Sequence, residues 1–142
     1  MKTPTRKLIF IVAIVGFALS AIWENIHFPL YVNFASWMKH IFFALCALGD
    51  VFLILCVYSI TAAVYRDIHW LHSLSAGKLT TALVISVLLS IIAEGLALYL
   101  GWWDYTDRMP TIPPGIGLSP FLAIALLPVI TFLISRKINQ IL

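Results

Sequence analysis

The sequence predicts an all-α polytopic membrane protein, a four-helix transmembrane bundle with both termini on the cytoplasmic side. Three observations predict it: composition, the spacing of the apolar runs, and the placement of the basic residues. Of 142 residues, 62% are hydrophobic and 11% charged, whereas soluble domains average roughly 45–50% and about 25%. The mean hydropathy is +1.02. A soluble body of this size cannot bury so much apolar surface, so lipid has to cover it. The apolar residues fall into four runs within one domain, residues 1–142. Lys2, Arg6, Lys7, Arg66, Lys78, Arg136 and Lys137 gather on one side of these runs, and only Lys39 and Arg108 on the other. Basic residues favour the cytoplasmic face, so the termini and the second loop are expected inside and the first and third loops outside. The expected location is a bacterial inner (cytoplasmic) membrane. A dual-topology transporter would lack this bias. The net charge of +3 sits at helix ends, with no basic patch for a nucleic acid.

The first run, residues 8–28, follows Lys2, Arg6 and Lys7 and contains Ala18-Leu19-Ser20-Ala21, the pattern of a signal peptide; it is expected to be a retained helix. Twenty-one residues span about 31 Å, which matches a hydrocarbon core of about 30 Å, and Pro29 is a natural stop. The segment from Phe28 to Lys39, with Tyr31, Phe34 and Trp37, is expected along the interface, where aromatic rings prefer to lie. The second run covers residues 40–65, closed by Arg66-Asp67. The loop after it carries His69, Trp70 and His72; the two histidines are expected to be solvated or in headgroup contact. The third covers residues 79–102 and the fourth residues 117–135. Ser119-Pro120 reads as a helix start, Arg136-Lys137 as its end, and Pro128 as a mid-membrane kink. Cys46 and Cys56 lie about 15 Å apart on one helix, too far for a disulfide, and read as small apolar residues.

Asp50 and Glu94 interrupt apolar spans, where an acid costs about 2.5–3.5 kcal/mol on the insertion scale. Helical rise puts Asp50 about 15 Å and Glu94 about 12 Å below the outer end of their helices. Two acids at similar depth read as one site. Ser86, Ser90 and Glu94 form a polar stripe, beside a small-residue stripe of Ala93, Ala97 and Gly101 suited to close packing. Tyr99 points away from both, as an interfacial ring. Ser20, Glu24 and His27 share a face. Glu24-x-x-His27 has a spacing used in di-iron bundles, which need a second such pair and two further acids; no metal or other cofactor is expected. Burial in hydrocarbon disfavours the charged carboxylate, so such an acid can hold a proton at neutral pH and donate it as a general acid.

The third loop is dense: Trp102, Trp103, Asp104, Tyr105, Asp107 and Arg108 precede a return shaped by Pro110, Pro113, Pro114, Gly115 and Gly117. It reads equally as an interfacial anchor or as a lid. A membrane acid (Glu94), then Gly101-Trp102 with Tyr105, then the proline-rich return Pro113 to Gly117, resembles small membrane-embedded isoprenoid cyclases and hydratases of the carotenoid (lycopene-type) and terpene kinds. Those of the lycopene type carry a proline and paired glutamates entering the last helix, where this chain has Leu118-Ser119-Pro120. The resemblance implies protonation of an alkene or epoxide in a dry pocket, with aromatic rings stabilising a carbocation.

The expected function is therefore that of an enzyme or binder for a lipophilic substrate entering from lipid. Asp50 and Glu94 would be acid and partner. Trp23, Glu24, His27, Ser90, Trp102, Trp103, Asp104 and Tyr105 would line the pocket. Two other classes stay open. A small proton- or cation-coupled transporter would need a homo-oligomer and a continuous polar path; Tyr58, Ser59, Thr61, Ser86 and Ser90 include no further acid, so a blind pocket is expected instead. A non-catalytic accessory subunit would use the small-residue stripe to bind a partner helix. No Ser-His-Asp set, phosphate-binding glycine loop, Cys-x-x-Cys pair or haem attachment motif occurs.

Overall fold

A computed structural model of the chain describes residues 5–32 and 39–141. Lys2, Phe34 and Trp37 lie outside them. Four helices are long and apolar enough to cross a bilayer: α1 (Thr5–His27), α2 (Lys39–Tyr65), α3 (Ala76–Tyr99) and α4 (Leu118–Ile141). α1 packs on α2 and α4, and α3 packs on α4 and α2. The result is a ring of consecutive neighbours that puts both terminal segments and the 66–75 loop at one end.

The exterior of the helices is apolar, unlike that of a soluble protein, and several polar groups are turned inward. Phe10, Ile14, Ile26, Phe52, Leu88 and Ile92 face outward, while Ser20, Glu24, Thr61, Ser86, Glu94 and Thr131 are buried. An apolar exterior with polar groups turned inward is suited to lipid, which solvates alkyl side chains and not polar ones. Tyr99 is 87% exposed, as expected for an interfacial ring.

Helix ends differ from the sequence expectation where local capping decides. α3 starts three residues early because Ser75 caps it, accepting the Lys78 N–H. It stops at Tyr99 because Gly101 takes a left-handed φ of 65°. The Gly101 N–H then donates to Leu98 and the Trp102 N–H to Ala97, the paired bonds of a Schellman stop. α2 ends the same way without a glycine: Arg66 adopts φ 49°, and the Arg66 and Asp67 N–H groups donate to Ala63 and Ala62. α4 runs past Arg136-Lys137 to Ile141, carrying Asn139 inward. It remains helical through Pro128, which is fully buried.

The apolar core fills the end of the bundle near the termini. Leu8, Val12, Ile54, Val57, Tyr58 and Phe132 surround Trp70 and Leu71, both fully buried. Trp70, carried by the loop, is thus a plug. Asp67 makes this possible. Its carboxyl accepts the His69 N–H at 2.8 Å and pairs with the Lys78 ammonium at 3.3 Å, and its carbonyl accepts the Trp70 N–H. The tight turn throws the indole back between the helices. Although desolvation opposes it, hydrogen bonds from His69, Lys78 and Ser73 and the Lys78 charge hold the Asp67 carboxyl below the usual carboxylate range. A lowered folded-state value stabilises the turn fully above the unfolded value of about 3.9, and this is lost as pH falls through the folded one. The His69 amide should therefore lose hydrogen-exchange protection on acidification below about pH 4, and at higher pH in an Asp67→Ala variant. Unchanged protection in that variant would rule out this role for Asp67.

Candidate functional site

The opposite end of the bundle holds the acids. α1 places Ser20, Glu24 and His27 on its buried face. Glu24 Oε2 lies 3.0 Å from His27 Nε2, and His27 Nδ1 lies 3.0 Å from Ser119 Oγ. One imidazole thus joins α1 to the first turn of α4. Ser119 serves as its partner, not as the expected helix cap, because α4 begins one residue earlier. With Glu24 engaged by its own neighbour and both His27 nitrogens occupied, the Glu-x-x-His spacing closes on itself. Among the described residues, no three His, Cys, Asp or Glu side chains form a metal-ligating group.

Glu94 comes from α3. Its Oε2 accepts the phenol of Tyr105 at 2.5 Å. Tyr105 is held there from three directions. A short hairpin with two-residue strands, β1 (Thr111–Ile112) and β2 (Ile116–Gly117), returns the chain to α4. The residue touching the Tyr105 ring is Gly117: a Cβ there would lie 2.8 Å from Cζ and 3.0 Å from the hydroxyl. Tyr105 also bridges to Tyr31, where the Val32 N–H donates to Asp104 O and the Thr106 N–H to Leu30 O. The first and third loops are thereby stitched together over the acids, so the third loop caps the bundle. Burial, then the neighbouring Glu94, pushes the phenols of both Tyr31 and Tyr105 well up, and for Tyr31 Glu24 adds to this. Both remain neutral donors at physiological pH.

Asp50 lies deeper. α2 starts at Lys39, so Asp50 is about 16 Å along it, whereas the early end of α3 leaves Glu94 only about 8 Å from its own. Asp50 lies beside Ser20 and within electrostatic reach of Glu24 and Glu94. Its Oδ2 is buried and makes no hydrogen bond among the described residues. The site is therefore layered. Glu24–His27–Ser119 and Tyr105–Glu94 form the upper layer, and Asp50 with Ser20 the lower.

The expected lining residues divide. Trp23 meets His27 edge-on at 6.4 Å between ring centroids. Trp103 packs on Tyr31 at 6.1 Å. Trp102 is 61% exposed, and Asp104 is exposed, contributing its backbone carbonyl to the loop bridge. The Ser90 hydroxyl donates to the Phe121 carbonyl and joins α3 to α4. Tyr31, Ser119 and Gly117 belong to the site but were not singled out as site residues from sequence. Tyr31 sits in an aromatic stretch that reads as an interface, and a contact between residues 27 and 119 leaves no local signal.

The chain matches no protein-family model, and neither the curated proteins nor the solved structures give a significant match.

Proposed function

We propose that this chain is a four-span protein of a bacterial cytoplasmic membrane, with its termini inside, that binds and acts on a lipophilic, isoprenoid-like molecule by carboxylic-acid general acid/base chemistry. One observation carries this reading. Glu24, Asp50 and Glu94 share one half of the bundle and are ringed by Trp23, Tyr31, Trp103 and Tyr105. Acids that are expensive in such a setting exceed what helix packing requires. The aromatic faces supply the electron-rich surface a developing cation needs. Asp50, whose Oδ2 makes no hydrogen bond among the described residues, is the proton donor in this scheme. Glu94, held by Tyr105, is its partner, and the stitched loops exclude water. The substrate enters from the outer leaflet.

Native mass spectrometry of the protein released gently from its own membranes tests this. The expected result is a monomer or dimer retaining an isoprenoid-sized molecule that is lost in Asp50→Asn or Glu94→Gln, the latter keeping an acceptor for Tyr105 and hence the fold. An empty protein, or a stable complex with another subunit, would overturn the proposal in favour of an accessory role. The competing class, a proton- or cation-coupled transporter working as an oligomer, is favoured by one observation: α4 carries a buried polar stripe of Thr131, Ser135 and Asn139 toward the terminal end.

A further inference from the structure

The Glu24–His27–Ser119 relay is ordered as well as bonded. Its two contacts leave the imidazole from opposite sides, Nε2 toward Glu24 Oε2 and Nδ1 toward Ser119 Oγ, each at 3.0 Å. A carboxylate can only accept, so Nε2 carries its proton toward Glu24 and Nδ1 is left bare. The Ser119 hydroxyl is then the donor, and it points at a base. Either imidazole nitrogen serves as that base once the other holds the proton. Carboxylate, imidazole and hydroxyl in this order are the parts of an acyl-transfer triad.

Exposure follows the same order. Glu24 and His27 are buried, whereas Ser119 is half-buried. The base and the acid that orients it are shielded from water, while the hydroxyl can be reached. Trp23 and Tyr31 meet the imidazole edge-on, at 6.4 and 5.3 Å between centroids, which restrains its plane. Ser119 also stands in the first turn of α4, where N–H groups have no helical acceptor. The Leu118 N–H donates to Pro110 O, and Pro120 has no N–H. The Ser119 N–H is thus left open to an oxyanion, at the positive end of the helix dipole.

The location suggests the substrate class. His27 ends α1 and Ser119 lies one residue into α4, so the hydroxyl sits at the end of the apolar spans opposite the termini. Hydrocarbon gives way to headgroups at such a boundary, and the ester carbonyls of membrane lipids lie there. No local pattern marks the set, because 92 positions separate His27 from Ser119.

We propose that Ser119 is a nucleophile for acyl transfer, with His27 as its general base, Glu24 as the positioning residue for the imidazole, and a long-chain acyl ester of a membrane lipid as the substrate. Ser119 Oγ attacks the ester carbonyl carbon, and its proton passes to His27 Nδ1. The bond from that carbon to the alcohol oxygen breaks, and His27 returns the proton to the departing oxygen. Water then attacks the Ser119 acyl ester and gives a proton to His27. The fatty acid leaves, and Ser119 Oγ recovers its hydrogen. The sum is ester plus water to acid plus alcohol. This activity goes beyond the acid/base role of Asp50 and Glu94 and does not depend on it.

The test uses the full chain in lipid nanodiscs and a long-chain alkyl fluorophosphonate, which phosphonylates activated serines with loss of fluoride. Mass spectrometry of the digested protein is expected to place the label on Ser119. Hydrolysis of a p-nitrophenyl ester of a long-chain fatty acid should fall about 10³-fold or more in Ser119→Ala and in His27→Asn, and no further in the double variant, because such groups act as a unit. Glu24→Gln should lower kcat with KM little changed, which a packing defect would not produce. Ser59→Ala, at an exposed hydroxyl bonded within its own helix, should leave both readouts unchanged. An unlabelled Ser119 in the wild-type protein would overturn the proposal and leave the relay as a clasp between helices. Wild-type labelling in a folded His27→Asn would overturn it as well. The wild-type label needs no variant, so the outcome does not hang on whether a variant folds.

Discussion

Replacing Trp70 with alanine is expected to cost about 3–5 kcal/mol of stability, the largest loss of any single truncation outside the acid site. The indole is fully buried at the end of the bundle. It meets Phe132 edge-on at 5.3 Å and Tyr58 at 5.5 Å between centroids. Its N–H donates to the Tyr58 carbonyl at 3.2 Å, while the Tyr58 phenol donates to the Ile68 carbonyl at 2.6 Å. The loop and α2 thus hold each other reciprocally. Truncation opens a cavity under three helices and releases one of those bonds. Phe could refill part of the volume but not the N–H bond, so Trp70→Phe should fall between the two. Unfolding titrations in mixed micelles check this. Trp102→Ala serves as the contrast, because an exposed indole at a helix end is expected to change stability by less than about 0.5 kcal/mol. Equal losses for the two would show that Trp70 is not a plug.

The second large effect is expected from the smallest substitution, Gly117→Ala. The added methyl would sit 2.8 Å from Tyr105 Cζ and 3.0 Å from Pro120 Cγ. Proline in the first turn of α4 cannot give way, and the phenol cannot retreat while it is bonded to Glu94. The Tyr105–Glu94 bond is the contact expected to break. Overpacking of this kind costs about 1–3 kcal/mol, and a buried hydrogen bond left half-made about 1–3 kcal/mol more. A double-mutant cycle separates this from a local defect. Tyr105→Phe should be clearly destabilising in the wild-type background and nearly neutral in Gly117→Ala, because the bond is already lost there. Additive effects would mean that the Gly117 contact does not set the position of Tyr105.

Much of the architecture could be read from sequence because it rests on one-dimensional quantities. The apolar runs placed four helices to within about one turn, except at the end of α4, which was expected at residue 135 and runs on to Ile141. The errors came at caps: the Ser75 start and Gly101 stop of α3 shift it by about one turn. That shift matters, since it separates Asp50 and Glu94 in depth. The polar stripe Ser86–Ser90–Glu94 and the face shared by Ser20, Glu24 and His27 followed from periodicity, because residues three and four apart in a helix lie on one side whatever they pack against. The Thr131–Ser135–Asn139 stripe has the same periodicity. No acid marks it, and in the sequence Arg136-Lys137 reads as the end of the helix before Asn139.

What the sequence by itself determined is the inside-out character of the chain: which stretches are helical, that their apolar faces suit lipid, and that a few acids must turn inward. Hydrophobic free energy and helical period are properties of each segment alone, so no partner need be known. What only the tertiary structure decided is which inward groups meet. Three pairings join residues far apart in the chain or across a turn: His27 with Ser119, Tyr105 with Glu94 under Gly117, and Trp70 under Phe132. Each depends on the rotation of one helix against another and on the path of a loop. Those are set by side-chain packing summed over the whole bundle, a quantity that no local pattern contains.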